Sequence, residues 1–328
     1  YKRQVKQAWA AQLQVLDVIE TICRKHDITY FADWGTILGT VRHGGYVPWD
    51  DDMDICMKRE DYTRFKEAAK TELPKDFRIH DYEHQEDHWL FLSRVANSVH
   101  INFEPEHMKQ FHNFPYIAGI DIFVLDYLYK DEQQEKQRCE EVKHIIAVAD
   151  SIIAGEIAQP VKEANLIQLE EKYHKTFNRK LDNRHIGIEL YRLAEEQMAR
   201  VPKEESDRMA QIFPWGLLGN RGQDREYYEK FVRLPFENTT MPVPADYHRI
   251  LSGKYHDYFK IHKVWSGHDY PYFEGQRKNL QAVADFKLPE FTFDKAMLRQ
   301  NTKEMKNSDT IQKNSAEALL NIEKLYKA

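Results

Sequence analysis

The chain has 328 residues, 42% of them hydrophobic and 30% charged, with a formal net charge of −6. That composition belongs to a folded chain able to bury a sizeable core. The negative balance argues against a nucleic-acid partner, and no apolar run reaches the roughly 18 residues that a membrane span needs. Cys23, Cys56 and Cys139 are widely separated and form no C-x-x-C pair, which argues against a disulfide framework and a cysteine zinc site. With no secretory signal in view, the expected setting is a reducing cytoplasm.

Val5, Trp9, Leu13, Leu16, Ile19 and Cys23 fall three or four residues apart, which predicts an amphipathic helix over 3–26. Ile28 to Asp33 alternates as a short strand and runs into Gly35-Thr36, a turn expected to precede a short helix, Ile37 to Arg42. A helix start there would offer its unpaired N–H groups to a phosphate. Gly44, Gly45 and Pro48 punctuate a loop before an acidic strand over 52–57, and Arg59 to Lys70 has helical spacing. Further strands are expected at 77–82, 89–96, 99–104 and 115–124. Helices follow near 132–155, 163–180 and 188–200. Pro235, Pro242 and Pro244 limit 231–243 to a ribbon or loop. A helix from Ala245 is expected to end at Gly253, and a charged peripheral helix closes the chain. No fixed-period repeat is present.

The chemistry concentrates in Asp50, Asp51, Asp52 and Asp54. On a strand Asp50, Asp52 and Asp54 would share one face, and like charges that close repel unless a cation lies between them. Oxygen-only donors suit Mg²⁺ or Mn²⁺. The competing reading is a solvated acidic turn, but Met53, Ile55 and Met57 place the acids in a half-buried strand pattern. A further acid, Asp121, stands among branched apolar residues in GIDIFVLD. Burying it alone would be costly, so it needs the same cation, a salt bridge or a backbone cap. His80, His84 and His88 have an i, i+4 spacing but lie in a polar stretch, read as a solvated loop.

The block GTILGTVRHGGYVPWDDDMDICMKREDY (35–62), together with GIDIFVLD (119–126), resembles the LicD family of phosphocholine transferases, within the nucleotidyltransferase-like superfamily; fukutin-related proteins carry a variant of the block. A weaker likeness runs through PVPADYHRILSGKYHDYF (242–259), where Tyr247, Leu251, Tyr255, Asp257 and Tyr258 match and His256 stands where the family has glycine. The cysteine cluster of the fukutin-related branch is missing, which favours the bacterial-type branch.

This resemblance implies an α+β fold: a nucleotidyltransferase-like mixed sheet flanked by helices, with a largely helical C-terminal part. The expected divisions are a catalytic core at 1–130, a helical and ribbon substrate-binding part at 131–290, and a peripheral helix at 291–328. Asp52, Asp54 and Asp121 would form the catalytic, metal-holding set, with Mg²⁺ or Mn²⁺. Gly35, Thr36, Arg42 and Arg94 would bind phosphate, a surface salt bridge being the alternative for either arginine. The implied reaction moves phosphocholine from CDP-choline to a sugar hydroxyl of a glycan or lipid-linked oligosaccharide precursor, of teichoic acid, capsule or lipopolysaccharide type. Alternatives are transfer of ribitol or glycerol phosphate, true nucleotidyl transfer, and an inert glycan-binding protein. Membrane contact is expected to be peripheral at most, at the inner face. If choline is bound, aromatic faces must receive it, and Trp215, Tyr227, Tyr228, Trp265, Tyr270, Tyr272 and Phe273 are the supply.

Overall fold

A 24-residue helix, α1 (Lys2–Lys25), opens the computed structural model, which describes residues 2–85, 90–261 and 270–283. Its expected stripe is its core face: Val5, Leu16, Ile19 and Cys23 are buried, and Ala8 and Ala11 widen the contact. β1 (Tyr30–Ala32) leads into α2 (Trp34–His43), which begins three residues before the expected Ile37. Asp33 causes the early start, because its carboxylate accepts the Trp34 N–H at 2.8 Å as an N-cap. Gly44, at φ 64, ends the helix in the left-handed conformation.

β2 (Asp54–Lys58), α3 (Arg59–Glu72), β3 (Arg78–His80), β4 (Ser93–Ala96), α4 (Pro105–Gln110) and β5 (Gly119–Tyr127) follow. The acidic strand begins at Asp54 rather than 52, so Asp50, Asp51 and Asp52 belong to a loop and strand alternation does not align them. Residues 99–104 form no strand, and Pro105 instead starts the short α4, where its missing N–H costs nothing.

The strands are ordered β1-β2-β5-β4-β3. β1 and β2 run antiparallel with Tyr30 opposite Met57, as do β4 and β5 with Arg94 opposite Asp121. The α+β organisation implied by the resemblance is the one observed.

The described residues separate into two compact units, one within Tyr1–Ile79, Ser93–Phe123 and Tyr227–Ala328, the other within His80–Leu92 and Val124–Glu226. In the second unit, α5 (Glu132–Ile153), α6 (Gln159–Tyr173) and α7 (Asn183–Met198) build a core on Val142, Ile145, Leu166, Ile186 and Leu190. Arg138 is fully buried there and donates to the carbonyls of Tyr127 and Met198 at 2.9 and 3.0 Å. β6 (Arg208–Ala210) pairs with the end of β5 and with β7 (Gln223–Asp224).

Back in the first unit, β8 (Phe231–Phe236) and β9 (Thr239–Pro244) form the expected ribbon as a separate two-stranded hairpin. α8 (Tyr247–Tyr255) runs through Gly253 and stops at His256, which takes φ 57 itself. α9 (Glu274–Val283) is tied to the approach to β5, because Gln276 Oε1 accepts the Ile117 N–H at 2.9 Å. The helix expected over 291–328, together with Trp265 and His88, lies outside the described residues. No helix among the described residues is long and apolar enough to cross a membrane.

Candidate active site

The start of α2 is tied down from both sides. Asp33 is buried, caps the helix, forms an ion pair with Lys254 of α8, and sends its own N–H to the Asp54 carbonyl at 3.0 Å. The Lys254 ammonium lies 4.0 Å from the centre of the Trp34 ring, a cation–π contact. Thr36 is buried, and its Oγ1 accepts the Asp54 N–H at 2.8 Å. The threonine therefore pins the first residue of the acidic strand, while the backbone of the turn remains a helix start suited to an anion.

The loop carrying the other acids is fixed by distant parts of the chain. Trp9 of α1 donates its indole N–H to the Asp50 carbonyl at 3.0 Å and stacks on Tyr46 with ring centres 4.7 Å apart. At the β8–β9 turn, Glu237 accepts the Tyr46 N–H at 3.1 Å and returns its own N–H to the Gly44 carbonyl at 2.8 Å. Asp51 is fully buried and accepts the backbone N–H of Tyr272. A Cβ at Gly35 would meet Asp50 Oδ2 at 2.1 Å, so glycine lets this carboxylate lie against the helix start.

Despite lying in a loop, Asp50, Asp51 and Asp52 each offer an oxygen within 4.8 Å of the others. The charges of Asp52 and Asp50 reach Asp54. Burial, then Asp52, Asp121, Asp33 and Asp50, raise the Asp54 carboxyl well above its ordinary range. Burial likewise, and then Asp52 and Asp51, push the Asp50 carboxyl up to about 8. Asp52 and Asp121, two of the acids expected from sequence, thus lie within electrostatic reach of the third, Asp54, as do Asp50 and Asp33.

Asp121 takes the salt bridge that was one of its sequence alternatives. Arg94, opposite it on β4, donates Nε and Nη2 to the two carboxylate oxygens at 2.6 and 2.8 Å. Gly119 makes this possible, since a Cβ there would meet Arg94 Cδ at 2.7 Å. The carboxylate in turn strengthens the hold of Arg94 on its proton. Arg42 is differently placed, donating to the Tyr258 carbonyl at 2.8 Å with its guanidinium 5.9 Å from the centre of the Trp49 ring. It joins the first motif to the 242–259 segment.

Two residues of the site escaped the sequence reading: Asp33 and Lys254 are 221 positions apart, and no local pattern relates them. Tyr255, matched to the family in sequence but given no role there, lies within electrostatic reach of the acids: burial, then Asp33, Asp54 and Asp50, raise its phenol against the opposing effect of Arg42. Among the aromatic residues considered for a choline site, Tyr228 and Phe273 are core, while Tyr272 adjoins Asp51.

The donor set fits a hard divalent cation. All the candidate donor atoms are carboxylate oxygens, and burial together with Asp52 and Asp51 disfavours the ionised form of Asp50, which a bound cation would favour. Asp81, Glu83 and His84 form a second such group among the described residues, but its members are engaged structurally: Asp81 accepts His84 Nδ1 at 2.6 Å and Glu83 pairs with Arg192 at 2.6 Å.

Residues 27–146 match the family model described as LicD/FKTN/FKRP, nucleotidyltransferase domain. Over 264 residues the chain is 25% identical to the lipopolysaccharide cholinephosphotransferase LicD of Haemophilus influenzae, covering 76% of this chain and 89% of that protein. Shorter matches reach uncharacterized proteins of Rickettsia typhi, 39% identical over 54 residues, and Rickettsia prowazekii, 42% over 48, each alignment covering 18% of the relative.

Proposed function

We propose, from the premise that residues 27–146 carry a LicD-type nucleotidyltransferase domain, that this chain is a phosphotransferase that moves phosphocholine from CDP-choline to a sugar hydroxyl of a cell-surface glycan precursor. The supporting observation is that Asp54, whose N–H is held by Thr36 at the start of α2, lies within electrostatic reach of Asp52 and Asp121, with Asp50 packed against Gly35. The long alignment to a lipopolysaccharide cholinephosphotransferase supports the choice of phosphocholine.

In this reading the first-turn N–H groups of α2, at Gly35 and Thr36, bind the diphosphate of the donor, with Arg42 at its edge. Asp52 and Asp54, with Asp50 beside them, would hold Mg²⁺ or Mn²⁺, which neutralises phosphate charge when bound. Arg94 holds Asp121 in one orientation, from which the carboxylate accepts the proton of the acceptor hydroxyl as that oxygen attacks phosphorus. CMP leaves. The acceptor is a glycan carried on lipid or free in solution, met at the inner face of the membrane by a protein held there weakly.

The test is product analysis. Incubation with CDP-choline, CDP-ribitol and CDP-glycerol, a glycan acceptor and Mg²⁺ should release CMP with CDP-choline preferred, and EDTA should stop it. Release of pyrophosphate from a nucleoside triphosphate would instead indicate true nucleotidyl transfer.

A further inference from the structure

Tyr272 is held through its backbone N–H and its ring, and its hydroxyl is uncommitted. Its backbone N–H goes to the buried Asp51 carboxylate. Its ring meets Phe114 and Phe273 edge-on, with centres 6.4 and 5.5 Å apart. Phe273 is fully buried and stacks on Tyr116 at 5.2 Å, and α9 behind it is held to Ile117 through Gln276. The segment is therefore anchored at the tyrosine and on its C-terminal side.

The hydroxyl oxygen is buried and, among the described residues, has no hydrogen-bond partner. A buried hydroxyl without a partner destabilises a fold, and such atoms are rare unless a ligand completes them. The phenol is also neutral: burial raises it well above its ordinary range, Asp51 adds to this, Arg94 opposes it and Asp52 adds again. The contact of its backbone N–H with Asp51 places the residue beside the acid site. A neutral phenol there is a hydrogen-bond donor that brings no further negative charge.

We infer that Tyr272 is a substrate-binding residue whose hydroxyl donates a hydrogen bond to a phosphate oxygen of the bound nucleoside diphosphate ester. The assignment rests on the phosphotransferase reading for the identity of the ligand, and on the orphaned donor for the residue. It explains why a tyrosine stands where phenylalanine would fill the same space between Phe114 and Phe273.

Tyr272→Phe separates a ligand role from a structural one, because it keeps the ring and removes only the hydroxyl. The unfolding midpoint of the ligand-free protein should be unchanged or higher in Y272F, since a buried unsatisfied group has been removed. Turnover of CDP-choline, as kcat/KM, should fall about tenfold, the value of one hydrogen bond to a charged acceptor. The rise in midpoint produced by CDP with Mg²⁺ should shrink accordingly. A lowered midpoint of the free variant would show that the hydroxyl already serves the fold and would overturn the assignment, as would unchanged turnover and an unchanged ligand shift. If the wild-type protein neither turns over CDP-choline nor responds to CDP, the phosphotransferase reading fails. Inorganic pyrophosphate with Mg²⁺ then decides Tyr272 separately: a smaller shift in Y272F than in wild type supports it, and equal or absent shifts overturn it.

Discussion

The Asp50 carboxylate occupies the space that a side chain at Gly35 would fill, with Oδ2 only 2.1 Å from the position of a Cβ there. The glycine of the Gly-Thr turn thus does two things: it opens the helix start and makes room for an acid. Gly35→Ala should leave the fold standing, because the obstructing atom is the end of a side chain that can swing away and alanine is the better helix former by roughly 1 kcal/mol. Turnover should nonetheless fall on the order of 10²-fold as Asp50 is displaced from the acid group. A midpoint within a few degrees of wild type, together with that loss in kcat/KM, is the expected result. Unchanged turnover would show that the position of Asp50 is immaterial.

Asp54→Asn and Asp52→Asn should each lower turnover on the order of 10³-fold, since a neutral amide cannot supply the charge that the proposed cation and the developing phosphate charge require. The same substitutions should stabilise the cation-free protein. Burial and four neighbouring acids disfavour the ionised form of Asp54, and an amide removes that penalty. Circular dichroism melts in EDTA, set beside activity assays in Mg²⁺, read both effects. An Asp54→Asn protein that is less stable and fully active would contradict the reading on both counts.

Asp50 makes the cation-free protein pH-sensitive in a direction that can be worked out. Its carboxyl, raised to about 8, holds a proton in the fold that the unfolded chain gives up near pH 4. Between those values the folded state binds more protons than the unfolded one, so stability falls as pH rises, by at most about 1.4 kcal/mol per pH unit for one such group. Above about pH 8 this contribution to the slope ends. Melts in EDTA from pH 5 to 9 should show the decline, and Asp50→Asn should make it shallower, the raised carboxyl of Asp54 supplying the rest. Saturating Mg²⁺ should flatten it, by stabilising the ionised form. A melting temperature that rises across this range in EDTA would show that the acids are not crowded as described.

The parts legible from sequence were those whose cause is local. Apolar spacing in α1 and α3 is the spacing of their buried faces, and the proline-bearing ribbon pairs as an isolated hairpin. The acid block was legible as chemistry but not as geometry. Alternation predicted a strand from 52, whereas Pro48, the Asp50 N–H bonded to the Val47 carbonyl at 2.8 Å, and the pull of Trp9 on the Asp50 carbonyl hold a loop up to Asp54. That pull comes from 41 residues away, the Lys254–Asp33 pair spans 221, and Tyr272 reaches Asp51 across another 221. Such contacts are products of the closed fold, and no window of neighbouring residues encodes them. Arg94 was singled out as a phosphate ligand with a salt bridge as its alternative; its partner proves to be Asp121, one of the proposed catalytic acids.

His256 stands where the family resemblance places glycine, and the backbone shows the consequence. Its φ of 57 and ψ of −112 lie in a region that a side-chain-bearing residue enters only with strain, of order 1–3 kcal/mol. The imidazole is exposed, so packing recovers little. The turn is nonetheless held, with the His256 N–H on the Ser252 carbonyl at 2.9 Å and, two residues on, the Tyr258 carbonyl accepting Arg42 at 2.8 Å. His256→Gly should therefore stabilise the protein by about 1 kcal/mol after the greater freedom of glycine in the unfolded chain is set against the relief of strain. His256→Ala removes the ring but keeps the strained backbone, and should give no gain. The comparison of the two midpoints is the measurement, and a glycine variant no more stable than the alanine variant would show that the turn carries no strain at this position. Turnover in the glycine variant should stay within a factor of two of wild type, because the Arg42 contact is made by the Tyr258 backbone and not by the imidazole.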